Sequence, residues 1–171
     1  MKPIPTVEYL DLKSFMGPWY VIANIPTYFE KEAFNAVETY ELNEDGTVAT
    51  TFTFNKGSYN GDKKQYNPKG YVKDKKTNAL WDMQFIWPFK SEYRVIYLDD
   101  TYSTTIIGRN KRDYVWIMSR SSKIDKDKLD SLVKFVADKG YDINKIQKVP
   151  QKWPAEVLPS SGGDRPIMVV L

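Results

Sequence analysis

The chain contains no cysteine and no histidine. That rules out a disulfide framework, a thiolate or imidazole zinc centre, and any Ser-His-Asp or Cys-His relay. No acidic spacing of the calcium-loop type appears either, so neither a metal nor a cofactor is expected. No apolar run approaches the roughly 20 residues that a membrane-spanning helix needs. The start, Met1-Lys2-Pro3-Ile4-Pro5, lacks the apolar stretch of a secretory signal. As written, the chain reads as cytoplasmic, with a periplasmic or outer-membrane-associated location as the alternative if a leader has been removed. Charge of one sign is not concentrated anywhere: 25 basic and 22 acidic residues leave a net charge of +3. A mixed, solvated surface follows, and nucleic acid is not an expected partner.

What is abundant is aromatic. Twelve Tyr, 8 Phe and 5 Trp in 171 residues favour pleated, half-buried strands in one ordinary-sized domain. Eight strand-like runs recur at near-regular spacing: Pro18 to Ile25, Ala36 to Asn43, Thr47 to Asn55, Gln65 to Lys73, Ala79 to Ile86, Glu92 to Asp99, Tyr102 to Arg109 and Asp113 to Ser119. The links between them are short and rich in Gly, Asn, Asp and Pro, which reverse the chain. An all-β, eight-stranded, antiparallel up-and-down barrel follows. One link is longer: Pro26 to Asn35 has the length and aromatic content of a lid. After the last run, Leu129, Leu132, Val133 and Val136 form the stripe of an amphipathic helix over about 125–139, with Asp125 to cap it and Gly140 to end it, packed outside the barrel. Residues 1–152 thus read as barrel plus helix, and 153–171 as a Pro/Gly-rich tail.

Alternate residues of a strand share a face. The half of each run expected to face inward is Val21 and Ala23; Phe52 and Phe54; Trp81, Met83 and Phe85; Tyr93, Val95 and Tyr97; and Tyr114, Trp116 and Met118. An eight-stranded barrel is wide enough to be filled by such side chains or to hold one small ligand, and periodicity does not decide between the two.

Gly17-Pro18-Trp19-Tyr20, preceded by the short helical stretch Asp11 to Met16, resembles the first signature of the lipocalins. Asp99-Asp100-Thr101-Tyr102 and Arg120 match the second and third, and Asp113 to Arg120 resembles bacterial outer-membrane lipocalins and the temperature-induced lipocalins of plants. The resemblance covers roughly Val7 to Lys152. It implies structural roles for Gly17, Trp19, Asp100, Tyr102 and Arg120, with Trp19 plugging the closed end under the Arg120 guanidinium. It also implies that the inward residues above bind a small hydrophobic or amphipathic ligand. The chain departs from the family in placing the acidic pair before Thr101, and in lacking the lipid-modified cysteine of the bacterial members.

With the family's topology, Lys31, Lys56, Lys63, Lys64, Lys90, Arg109, Lys111 and Arg112 fall on open-end loops, diluted there by Glu30, Glu32 and Asp62. Glu44, Asp45, Asp99 and Asp100 fall at the closed end, where Lys73, Lys75 and Lys76 weaken the contrast. A basic rim suits an anionic or zwitterionic head group, and hence a fatty acid or lysophospholipid. The expected function is non-catalytic binding, transport or storage of such a ligand. The alternatives are an enzyme acting on a lumen-bound lipid, or an interaction module that uses the tail and rims for peripheral membrane contact or homodimerisation.

Overall fold

In the computed structural model, which describes residues 1–154, aromatic and β-branched runs form one antiparallel sheet that closes on itself. A single helical turn, α1 (Leu12–Phe15), leads into β1 (Gly17–Ile25). There follow β2 (Ala33–Leu42), β3 (Val48–Lys56), β4 (Lys63–Tyr66), β5 (Lys69–Val72), β6 (Leu80–Ile86), β7 (Phe89–Leu98), β8 (Thr104–Gly108) and β9 (Val115–Ser119). Each strand pairs with its successor in the barrel, and β9 returns to β1, with Tyr20 opposite Ser119 and Ile25 opposite Val115. The fold is a closed eight-stranded barrel in which β4 and β5 together make the fourth strand. Pro68 divides them, because a residue without an N–H cannot hold its place in a ladder. Its carbonyl still accepts from the Thr50 N–H at 3.1 Å.

Helix α2 (Lys126–Asp138) lies outside the barrel, as its stripe demands. Leu132 and Val136 are buried against Ile25, Ile96, Ile106 and Ile117, the outward residues of three neighbouring strands and of β1. Gly140, at φ +96°, ends the helix in the left-handed region. Asp125 precedes the first turn, but its side chain makes no capping hydrogen bond. Beyond the helix, β10 (Gln147–Lys148) pairs with Ala23 and Asn24 on the edge of β1 that β2 has left. Gln151 then bridges that seam, donating Nε2 to the carbonyls of Val21 and Ala36, both at 2.9 Å. The Pro/Gly-rich tail expected over 153–171 is described only as far as Pro154, and residues 155–171, which the alternative reading would use for assembly, lie outside the described residues.

The closed end is built on one stack. Trp19 is fully buried and donates Nε1 to the Phe15 carbonyl at 2.9 Å. The Arg120 guanidinium lies 3.8 Å from its ring centroid and donates to the carbonyls of Pro18, Ser14 and Met16 at 2.7, 3.0 and 2.8 Å. Gly17 adopts φ +92°, and a Cβ there would sit 3.4 Å from Arg120 Nη1, so this position requires glycine for its backbone and tolerates little more beside the guanidinium. Tyr102 secures the same end by accepting the Asp11 N–H at 2.9 Å.

The turn before β8 corrects one expectation. Asp99, not Asp100, does the capping: its carboxylate accepts from the N–H groups of Ser103 and Thr104 at 2.6 and 3.2 Å and from both hydroxyls. Asp100 is exposed. Burial pushes the Asp99 carboxyl up, but the hydrogen bonds from Ser103 and Thr104 outweigh it and hold it below its ordinary value.

Arg120→Lys keeps the charge but loses the planar fork that serves several carbonyls and the indole at once. It is expected to cost about 2–3 kcal/mol, the scale of charge-assisted hydrogen bonds, read as a lower urea midpoint at unchanged slope.

Candidate ligand site in the upper barrel

The lumen is divided by height. In the lower half Phe15, Trp19, Tyr40, Trp81 and Tyr93 pack ring on ring, with Trp81 and Tyr93 stacked at 4.5 Å and 9°. Above this aromatic floor a cavity of about 280 Å³ opens at the mouth. Its apolar wall is Phe52, Met83, Phe85, Ile107, Tyr114 and Trp116, and the single 3-10 turn Tyr28–Glu30 closes part of its top. The Pro26 to Asn35 segment therefore does sit as a lid over the opening.

Of the residues expected inside, Phe52, Met83, Phe85, Tyr93, Tyr114 and Trp116 line the cavity. Val21, Phe54, Trp81, Val95 and Met118 face the same core but are covered by neighbours and do not reach the cavity. Ala23 and Tyr97 face the other way, and both corrections have one cause. The pairing of β1 with β9 shifts between Val21 and Ala23, and that of β7 with β8 between Val95 and Tyr97. A one-residue bulge exchanges the faces of everything beyond it. Ala23 thus joins the outer cluster under α2, and Tyr97 packs edge-on against Phe135 of that helix at 5.4 Å.

The same bulge turns Asn24 inward, where strand alternation placed a solvent-facing residue. Asn24 is 1% exposed and donates Nδ2 to Glu30 Oε1 at 3.0 Å. Trp116 Nε1 donates to that oxygen at 2.7 Å, and Thr27 donates to Oε2 at 2.7 Å. Glu30 is thus a buried carboxyl on the lid, and these bonds hold the lid down. A second carboxyl, Glu38 of β2, faces the cavity below it. Tyr93 donates to Tyr40 at 2.7 Å, and the neighbouring Tyr40 hydroxyl favours the charged form of Glu38. Burial and then the charge of Glu30 push the Glu38 carboxyl up to about 8. Burial raises Glu30 also, against the hydrogen bonds from Thr27, Trp116 and Asn24.

At the rim, Glu92 accepts from the Asn110 N–H at 2.6 Å. Arg109 is the basic residue lining the cavity, and Asp113 engages it at 2.9 Å. Arg112 is not free at the rim; it donates to the carbonyls of Lys139, Asn110 and Lys2. Among the described residues no group of three or more acidic side chains could hold a metal ion.

With the barrel, floor and cavity in place, comparison with known proteins becomes decisive. A lipocalin-like domain model matches residues 10–151. This chain belongs to the lipocalin family. Temperature-induced lipocalin-1 of Arabidopsis thaliana is 33% identical over 159 residues, covering 88% of this chain and 84% of the relative. The outer membrane lipoprotein Blc of Escherichia coli (strain K12) is 32% identical over 151 residues, covering 86% and 83%. Insecticyanin from the tobacco hornworm Manduca sexta shares the fold, with a TM-score of 0.68 at 19% identity over 86% of this chain and 84% of that one. Small hydrophobic ligands are what the lipocalin family binds.

The carboxyl pair sets a pH response. Glu38 is faced by Glu30 from the lid, Tyr40 from β2, Tyr93 and Glu92 from β7, and Arg109 from the β8–β9 turn. With a folded-state value near 8 against 4.5 when unfolded, the native state binds the extra proton through that interval. Stability is therefore full below about pH 4.5 and falls as pH rises towards 8. Between pH 5.5 and 7.5 the unfolding free energy is expected to drop by on the order of 2 kcal/mol in urea titrations, and Glu38→Gln should flatten that fall.

Proposed function

We propose that this lipocalin is a non-catalytic carrier of a small amphipathic ligand whose apolar body occupies the upper-barrel cavity. The observation that carries this reading is the 280 Å³ opening between an aromatic floor and a hydrogen-bonded lid. Its apolar walls exclude water, and a few polar groups on one side can orient a guest. No His or Cys stands in the chain to do acid–base or nucleophilic work, which favours binding over turnover. Each methylene buried contributes about 0.8 kcal/mol, so affinity is expected to climb with chain length until the cavity is full.

A fatty acid or a lysophospholipid fits with its anionic head at the rim, near Lys31 and Lys90, and its chain directed inward. Ser91 lies on the cavity wall opposite Met83. Ser91→Trp should fill the space and lower affinity for a lipid probe about tenfold or more, the scale of pocket steric effects. Trp116 fluorescence titration measures it.

Peripheral membrane contact is a second reading with its own observation. Around the mouth, Tyr28, Phe29, Phe85, Ile86, Trp87 and Phe89 are each 51–81% exposed. Side chains of this kind sit well in a lipid headgroup layer, and Lys31 and Lys90 beside them suit anionic lipid. Co-sedimentation with vesicles containing phosphatidylserine should fall several-fold on Trp87→Ser and Phe89→Ser together, with no change in lumen binding.

A further inference from the structure

Three carboxyls, those of Glu30, Glu38 and Glu92, line the cavity against one guanidinium, that of Arg109. Glu30 and Glu38 present carboxyls to one small space, and Asn24, giving its Nδ2 to Glu30, keeps Oδ1 buried with no protein donor. Buried acceptors without donors are costly, and native proteins rarely leave them so. The one guanidinium on the cavity wall, Arg109, is engaged by Asp113 at 2.9 and 3.3 Å and also lies 5.4 Å from the Tyr114 ring centroid. A carboxylate guest pushed to this depth would meet two carboxyls and no available cation. A guest carrying several N–H donors and a positive charge would meet acceptors on one side and the faces of Phe52, Tyr93 and Trp116 on the other. Both kinds of surface attract a cation.

We propose that the cavity selects a compact amphiphilic amine, with its ammonium alongside the Glu30 and Glu38 carboxyls and its apolar body against Phe52, Met83, Phe85 and Trp116. The assignment rests on the carrier reading and reverses the head-group preference that the rim lysines suggest. The two carboxyls have different tasks. Glu30 is bound by Thr27, Trp116 and Asn24 and fixes the lid over the guest. Glu38 lies below it beside Tyr40 and turns towards the cavity. Near neutral pH Glu38 holds a proton before a guest binds. A docking ammonium displaces it to solvent, and the ion pair so formed inside a low-dielectric wall counts for more than pairing among the solvated lysines outside.

Calorimetric titration with octylamine, octanol and octanoate above pH 8, where the Glu38 carboxyl is ionised and an alkylammonium still charged, separates head from tail, because the three share one chain. Octylamine should bind at least about tenfold more tightly than octanol, with octanoate weakest. In Glu38→Gln the amine preference should shrink to within about threefold, while octanol binding persists and reports an intact lumen. If octanol or octanoate equals the amine on the unaltered protein, or if the preference survives in Glu38→Gln, the amine assignment is wrong and the carrier reading stands. If none of the three binds, both fall. The comparison on the unaltered protein decides the matter even where the variant fails to fold.

Discussion

The stack of Arg120 on Trp19 determines where the barrel ends. One planar cation joins α1, the start of β1 and the end of β9, because its fork reaches carbonyls on two of these elements while its face covers the indole. With that end sealed, Phe15, Tyr40, Trp81 and Tyr93 have a base to pile upon. The height of the pile then sets the depth of the cavity. A narrower plug would leave a deeper lumen; this one leaves space only near the mouth, and whatever the protein carries lies close to the lid.

Much of this was legible beforehand. The eight runs, the external helix and the lid segment follow from alternation and turn chemistry, and the closed-end roles of Gly17, Trp19, Tyr102 and Arg120 were implied by the resemblance to the lipocalins. Alternation failed at Ala23 and Tyr97 because it assumes an unbroken ladder, and a bulge leaves no mark in composition. The structural role implied for Asp100 falls to Asp99 for a similar reason: two adjacent carboxylates look alike until the turn decides which one reaches the N–H groups of Ser103 and Thr104. Glu30 and Glu38 were missed because glutamate ordinarily belongs to the surface. The one available clue was the position of Glu38, two residues before the inward Tyr40 and therefore on the same face.

The charges around the cavity divide by depth. Lysines outside stand in water, where salt screens them within about 8–10 Å, while the carboxyls inside are enclosed by aromatic walls and lid. Approach and residence are thus governed by different fields. The exposed aromatics of the lid and the β6–β7 hairpin lie on the path between.

The segment at 147–152 has a role in time as well as in space. β1 is among the first elements made, yet one of its edges waits for β9 and the other for β10 and Gln151. Pairings that span nearly the whole chain carry a high loop-closure cost and slow folding. A nascent chain leaving the ribosome would hold its first strand half-paired until almost the last residues of the domain emerged. The tube would close once β9 reached β1, and β10 with Gln151 would then fasten the stretch of edge that β2 leaves open.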